Sequence, residues 1–387
     1  MLRFLSAGES HGEFLVGILE GMVSHLKISA VDIDKELARR QRGYGRGQRM
    51  HIENDKVKIL SGIRNGETTG APISFIVPNI DYKNWADIMD VSKKKGGGER
   101  YLPRPGHADL PGVLKYGFTD IRNIIERASA RETVIRVAIG AICKKFLAEF
   151  HVHFFSRVIQ IGNVKDTSFY ECLSTSDLEK IENSELRNIL KEKDMQREID
   201  DAKKTGESVG GIFELIVSGL CPGIGSHVHW DRRLDTVIAG SLMSIPGIKA
   251  VEIGTGFEGM NLKGSCFHDE MYIKKGKGVF RKTNNAGGLE GGMTNGEKIW
   301  VKCAMKPIPT IKNPLGSFDI RTMQPQKSYY ERSDTCAVVP ASVVGENFLA
   351  FSIAEKFLEK FGGDSMKQVK ANYNAYVRSI ARYWKNG

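Results

Sequence analysis

The sequence predicts an α+β fold, and three observations lead there. Strand-like apolar runs at Ile73 to Val77, Val152 to Ile161, Ile212 to Val217, Ala250 to Ile253 and Ile299 to Ala304 interleave with helical segments without a regular βαβ rhythm. The chain lacks the βαβ context that a Gly-x-Gly-x-x-Gly dinucleotide-binding unit requires. No Pro- or Ser-rich linker and no internal repeat divides the 387 residues.

Taken in order, the chain opens on a short apolar run, Leu2 to Leu5, that delivers Gly8-Glu9-Ser10-His11-Gly12 into a tight turn. Asp32 to Arg40 reads as a helix, acidic at its start and basic at its end, as the helix dipole favours. Ser129-Ala130-Arg131-Glu132 has the spacing of a capping box and opens the apolar-periodic stretch Val134 to Phe150. Ser174 to Ser208 is dense in charge and reads as one or two exposed helices at the periphery. Asp231 to Ile245 is a further helix, stopped by Pro246-Gly247, and Ser342 to Phe361 another, stopped by Gly362-Gly363.

Composition narrows the function. The chain is 41% hydrophobic and 26% charged, ordinary for a globular protein. No run of about 18 apolar residues reads as a membrane span, and the N-terminus leaves no room for a signal-peptide core, so a cytoplasmic location is expected. Six scattered cysteines without a Cys-x-x-Cys pair point to reduced, mostly buried thiols, not to a disulfide framework or a zinc site. His151-Val152-His153 and His227-Val228-His229 place two imidazoles on one strand face, yet lack the further ligands a metal needs.

The net charge of +10 calls for an anionic partner, either nucleic acid or a multiply charged metabolite. Arg39, Arg40, Arg42, Arg46 and Arg49 crowd into eleven residues, separated by Gly43, Gly45 and Gly47. Guanidinium forks grip phosphate and carboxylate, so this stretch suits a polyanion of either kind. Only Tyr44 interrupts it as an aromatic, which weakens the nucleic-acid reading.

A second histidine repeats the opening design in Arg104-Pro105-Gly106-His107-Ala108-Asp109. Two turn-borne imidazoles with arginines nearby suggest paired proton donors in an anion site. Arg127-Ala128-Ser129-Ala130-Arg131 sets two more arginines at a predicted helix start, where unpaired N–H groups also favour phosphate. Asn284 to Gly292 is glycine-rich, Lys306-Pro307-Ile308-Pro309-Thr310 follows, and Glu331-Arg332-Ser333-Asp334 reads locally as a surface ion pair.

Five of these motifs, collinear from Phe4 to about Phe361, make the chain resemble the chorismate synthase family, the flavin-dependent enzymes of the shikimate pathway. The resemblance implies one domain over residues 1–387, a helical layer between two antiparallel sheets, with the charged excursion at about 174–208. It implies a carbon–oxygen lyase that converts 5-enolpyruvylshikimate 3-phosphate to chorismate by 1,4-anti elimination of phosphate, using reduced FMN without net redox. His11 then protonates the departing phosphate, His107 maintains the flavin's protonation state, and Asp334 assists proton removal at flavin N5. Arg40, Arg46, Arg104, Arg131 and Arg332 clamp the substrate, although Arg40 and Arg46 are alternatively assigned to NADPH. Flavin contacts fall to Arg127, Ala128, Ser129, Pro246, Gly247, Gly291, Lys306, Pro307, Ile308, Pro309, Thr310 and Arg332. A homotetramer is implied, with NADPH or an external flavin reductase as the reductant source, and with neither nucleic acid nor membrane as partner.

The chain departs from the family pattern at three places. Arg42 stands where proline is usual, Ala128 replaces a serine, and Pro246-Gly247 occupies the position of an Asn/Gln-Ala pair. The last two bear on flavin affinity, none on the proposed proton-transfer residues.

Overall fold

A computed structural model describes residues 1–47, 54–92, 97–274, 278–331 and 333–384. Its first sheet is antiparallel in the order β1 (Arg3–Ala7), β2 (Phe14–Glu20), β4 (Ile73–Pro78) and β3 (Lys58–Ile59). The inward side chains of β2 and β4, Leu15, Leu19, Ile73, Phe75 and Val77, are buried, while Leu5 and Ile18 point outward, the alternation of a sheet covered on one face. The second sheet orders β8 (Ile248–Ile253), β9 (Ile299–Met305), β7 (Gly211–Ser218), β5 (His153–Ile161) and β6 (Val164–Lys165), again antiparallel throughout.

Between the sheets lie α1 (Ala30–Gln41), α4 (Thr133–Ala148), α7 (Leu234–Met243) and α8 (Val338–Phe361). Helix α4 touches β1 and β2 on one side and β5 on the other, and α8 touches β5 and β7. Phe4 of β1 meets Phe348 and Phe351 of α8 edge to face. This is the β-α-β sandwich the family resemblance implies. Among the described residues α8 is long and apolar enough to cross a membrane, but 94% of its most apolar window is buried here, as suits a central core helix. Its start at Val338 precedes the expected Ser342 because Pro340 falls within the first turn, where a missing N–H costs nothing.

Helices α4 and α8 cross at Gly140, where an added Cβ would stand 2.3 Å from the Asn347 carbonyl oxygen. Gly140→Ala is therefore expected to destabilise the fold by about 1–3 kcal/mol, read as a lower denaturant midpoint at unchanged slope. Ion pairs also bind the layer. Glu346 of α8 accepts from Arg39 of α1 at 2.9 Å, from Lys144 of α4 at 2.5 Å and from Ser156 of β5 at 2.7 Å. Burial raises the Glu346 carboxyl, but Arg39, Lys144 and Arg187 outweigh it and hold it well below the carboxylate range.

The charge-dense segment forms α5 (Thr175–Asn183) and α6 (Glu192–Thr205). It is more tightly seated than an exposed excursion: α6 buries Met195 and Ile199, Glu182 pairs with Arg39 at 2.6 Å, and Arg187 reaches the Ser156 carbonyl at 2.8 Å. Three local expectations are corrected. Ser129 caps a short 3-10 turn, accepting from Arg131 N–H, while Glu132 turns to Arg136 and Ser6, so no reciprocal box forms. The helix expected over 231–245 is the shorter α7, because Trp230–Arg232 makes a separate 3-10 turn. The His-Val-His runs are not strand-face pairs, since His151 occupies a left-handed turn at φ 60° and His227 to His229 lies in bends.

Candidate active site

One end of the sandwich gathers the β1–β2 turn, the end of β4, the C-terminal end of α1, the short helix α3 (Arg122–Ala128) and the start of α4. Gly8 makes the turn possible: at φ 102° its position excludes a side chain, whose Cβ would stand 2.4 Å from the Phe14 carbonyl oxygen. The turn presents His11. Its Nδ1 lies 2.9 and 3.0 Å from the two carboxylate oxygens of Glu126, and its backbone N–H donates to the same carboxylate at 2.9 Å. Trp85 stacks on the imidazole with ring centroids 3.8 Å apart. Burial raises the Glu126 carboxyl, but the hydrogen bond and charge of His11, with Arg122, bring it below its ordinary value.

Asn79, directly after β4, ties this turn to the arginines. Its amide donates to the Gly12 carbonyl at 2.6 Å, and its Oδ1 accepts from Arg131 Nε at 2.8 Å. Arg131 also pairs with Asp55 at 2.5 Å, and Asp55 faces Arg40 at 3.4 Å. Arg40 further donates to Thr133 Oγ1 at 3.0 Å and to the Ala130 carbonyl at 3.2 Å. Burial lowers the Arg40 guanidinium to about 10; Arg46 and Arg131 add to this and Asp55 opposes it. Arg46 pairs with Asp334 at 2.9 Å, and the other Asp334 oxygen accepts the Gly47 N–H at 2.6 Å.

His107 is set in a second carboxylate frame. Its Nδ1 bonds Asp109, which accepts from Arg104 Nε at 2.9 Å, and Arg104 Nη2 lies 3.0 Å from the same ring nitrogen. Gly106, at φ 79°, supplies the turn, and an added Cβ would come within 3.6 Å of both Lys306 Nζ and Pro309. Lys306 Nζ donates to the Gly106 carbonyl, Thr310 Oγ1 accepts from Arg104 at 3.1 Å, and Lys306 N–H donates to Gly247 at 3.0 Å. Burial raises the Asp109 carboxyl, yet His107 and Arg104 outweigh it and hold it down to about 2 against an ordinary 3.8. Because the folded value is the lower one, the resulting stability is complete above pH 3.8 and is lost as pH falls through about 2. Asp109→Asn is expected to flatten that acid limb in unfolding measurements across this window.

The two imidazole frames join. Arg122 lies 3.2 Å from Glu126 and 3.3 Å from Glu331, and Glu331 in turn lies 3.9 Å from Arg104. Glu331 is thus an internal bridge, correcting the surface ion pair expected from the local sequence. The structure brings together His11, Arg40, Arg46, Arg131 and Asp334 on one side, and His107, Arg104, Gly247 and Lys306 to Thr310 on the other. Ser333 links them through a 3.0 Å bond to the Thr310 carbonyl. Arg127 is exposed but holds the first strand, donating to Ser6 and Gly8 carbonyls at 2.9 and 3.1 Å; Ala128 and Ser129 follow it. Pro246 precedes Gly247. Gly291, at φ 57°, has the side chains of His227 and Met293 as the nearest neighbours an added Cβ would meet, each at 3.9 Å. Arg332 and Arg49 lie outside the described residues.

Sequence reasoning missed Glu126, Asp55, Asn79, Trp85, Arg122 and a role for Asp109. Glu126 adjoins the motif at Arg127, and Asp109 stands within its own, so both were within reach of a search for carboxylates beside the histidines. Within the arginine-rich stretch, Arg39, Arg40 and Arg46 face inward onto carboxylates.

Carboxylate-held imidazoles among inward-facing guanidinia are a set of proton-transfer and anion-binding groups, as in an enzyme acting on a small molecule. The family model for chorismate synthase matches residues 2–358. Chorismate synthase of Alkaliphilus metalliredigens is 50% identical over 380 residues, covering 97% of this chain and all of that one. That of Aquifex aeolicus is 51% identical over 395 residues, with 99% of each covered. A crystal structure of chorismate synthase superposes with a TM-score of 0.80 at 43% identity, covering 99% of both chains. The chain belongs to the chorismate synthase family, and is an enzyme, a lyase, of that type.

Proposed function

We propose that the chain converts 5-enolpyruvylshikimate 3-phosphate to chorismate, breaking the C3–O bond to phosphate and a C6–H bond, so that the single ring double bond gives way to two conjugated ones. The carrying observation is the continuous network from His11 through Glu126, Arg122, Glu331 and Arg104 to His107, with Arg40, Arg46 and Arg131 beside it. The substrate brings one phosphate and two carboxylates, which accounts for guanidinia gathered at the cost of desolvation. Preorganised cations and N–H groups stabilise the charge that develops on departing phosphate.

Flavin suits the region between the frames. Among the described residues, Arg46 Nε and Arg122 Nη2 on the His11 side and the Tyr329 hydroxyl, whose ring faces Arg104, are buried without hydrogen-bond partners, and a ligand rich in oxygen acceptors satisfies such groups. Gly106, Gly247 and Lys306 to Thr310 would hold it, with Arg127 to Ser129 on the His11 side. Reduced FMN, when bound, supplies transient electron donation to the substrate with no net oxidation. His11 gives a proton to the leaving phosphate, His107 holds a proton at its frame with Asp109, and Asp334 accepts one. Arg40, Arg46, Arg104, Arg131 and Arg332 clamp the substrate; NADPH is the competing ligand for Arg40 and Arg46. We further propose a cytoplasmic homotetramer.

The source of reduced flavin is tested by following chorismate aerobically with NADPH as sole reductant. Turnover indicates self-reduction; dependence on added reduced FMN indicates a separate reductase.

A further inference from the structure

We propose that Glu126 is the positioning residue of the acid step, fixing the His11 imidazole with a proton on Nδ1 so that the proton given to phosphate leaves from Nε2. This rests on the reading of His11 as the acid. The geometry carries it. Glu126 grips the turn through the imidazole Nδ1, through the His11 N–H at 2.9 Å, and through its own carbonyl, which accepts the Ser10 N–H at 2.9 Å. The carboxylate is 2% exposed and the imidazole 13%, so water competes weakly for the contact. A ring flip would put carbon against the carboxylate, which would keep the His11 N–H and Arg122 but lose its imidazole partner.

Trp85 adds a second constraint by stacking at 3.8 Å and 23° to the imidazole, which fixes the ring plane. Arg122 steadies both partners, lying 3.2 Å from Glu126 and 5.1 Å from the centre of the Trp85 ring. Charged groups at this assembly, among the described residues, include Glu126 and Arg122 from α3, Asp81 accepting from Trp85 Nε1 at 3.1 Å, and Glu331 beside Arg122 at 3.3 Å. A carboxylate beside Nδ1 takes the hydrogen bond of that nitrogen, so after transfer the neutral ring is the Nδ1–H tautomer. No atom other than the Nε2 proton then needs to move at this residue.

The test compares Glu126→Gln, His11→Ala and the double variant under anaerobic conditions with reduced FMN. Glu126→Gln is expected to lower kcat about 10- to 100-fold with KM little changed. In the His11→Ala background the same change should add no further loss. An unchanged kcat in Glu126→Gln, or an additive loss in the double variant, overturns the proposal. A wild-type rate for His11→Ala would instead remove the acid role itself, and the two failures are thereby distinct. Independently of any variant, nitrogen-15 histidine NMR of the wild-type protein should show neutral His11 as the Nδ1–H tautomer. Observation of the Nε2–H tautomer contradicts the proposal.

Discussion

Replacing His11 by alanine is expected to lower turnover by about 10²-fold or more while flavin still binds. The loss follows from its position: the imidazole stands on a turn shaped by Gly8 and is held by Glu126 and Trp85. The side chain's removal takes away the proton donor but leaves the arginines that bind the substrate, so kcat should fall more than KM rises. Steady-state kinetics with a flavin titration alongside separate the two effects. A variant that turns over at the wild-type rate would take His11 out of the mechanism.

Asp55→Ala is expected to have the largest effect on stability. Asp55 is buried and faces two buried guanidinia, Arg131 at 2.5 Å and Arg40 at 3.4 Å. Removing one partner of a buried charge pair typically costs about 3–5 kcal/mol, because the remaining charge is left unmatched. Here Arg40 is already lowered by burial, by Arg46 and by Arg131, so the loss of Asp55 adds to an existing strain among like charges. An anion that binds the folded arginines should return part of this stability by mass action. Thermal unfolding with and without inorganic phosphate checks both parts: a lower midpoint, and a larger upward shift with phosphate than in the wild type. Equal stability of variant and wild type would show that Asp55 does not hold the cluster.

The fold was largely legible where burial leaves a local trace. Ile73 to Val77, flanked by Pro72 and Pro78, and Ile299 to Ala304, which follows Lys298, are largely apolar runs, and each is a strand. Boundaries failed where local chemistry misled: Pro340 disguised the first turn of α8, and Ser129 with Glu132 had the spacing of a box whose partners lie elsewhere. The active site was legible for residues that backbone turns present, because Gly8 and Gly106 flag His11 and His107. It was illegible for the groups that hold them. Asp55 meets Arg131 across 76 residues and Glu126 meets His11 across 115, and contacts at such separations leave no periodic or spaced signal. A general physical expectation does point to them, since arginines turned inward require buried carboxylates.

The central claim is tested most directly by supplying purified protein with chemically reduced FMN and 5-enolpyruvylshikimate 3-phosphate under anaerobic conditions. Chorismate and phosphate should appear in equal amounts, with the flavin still reduced at the end. A folded, flavin-binding protein that forms no chorismate, or that oxidises one flavin for each product, would contradict the account.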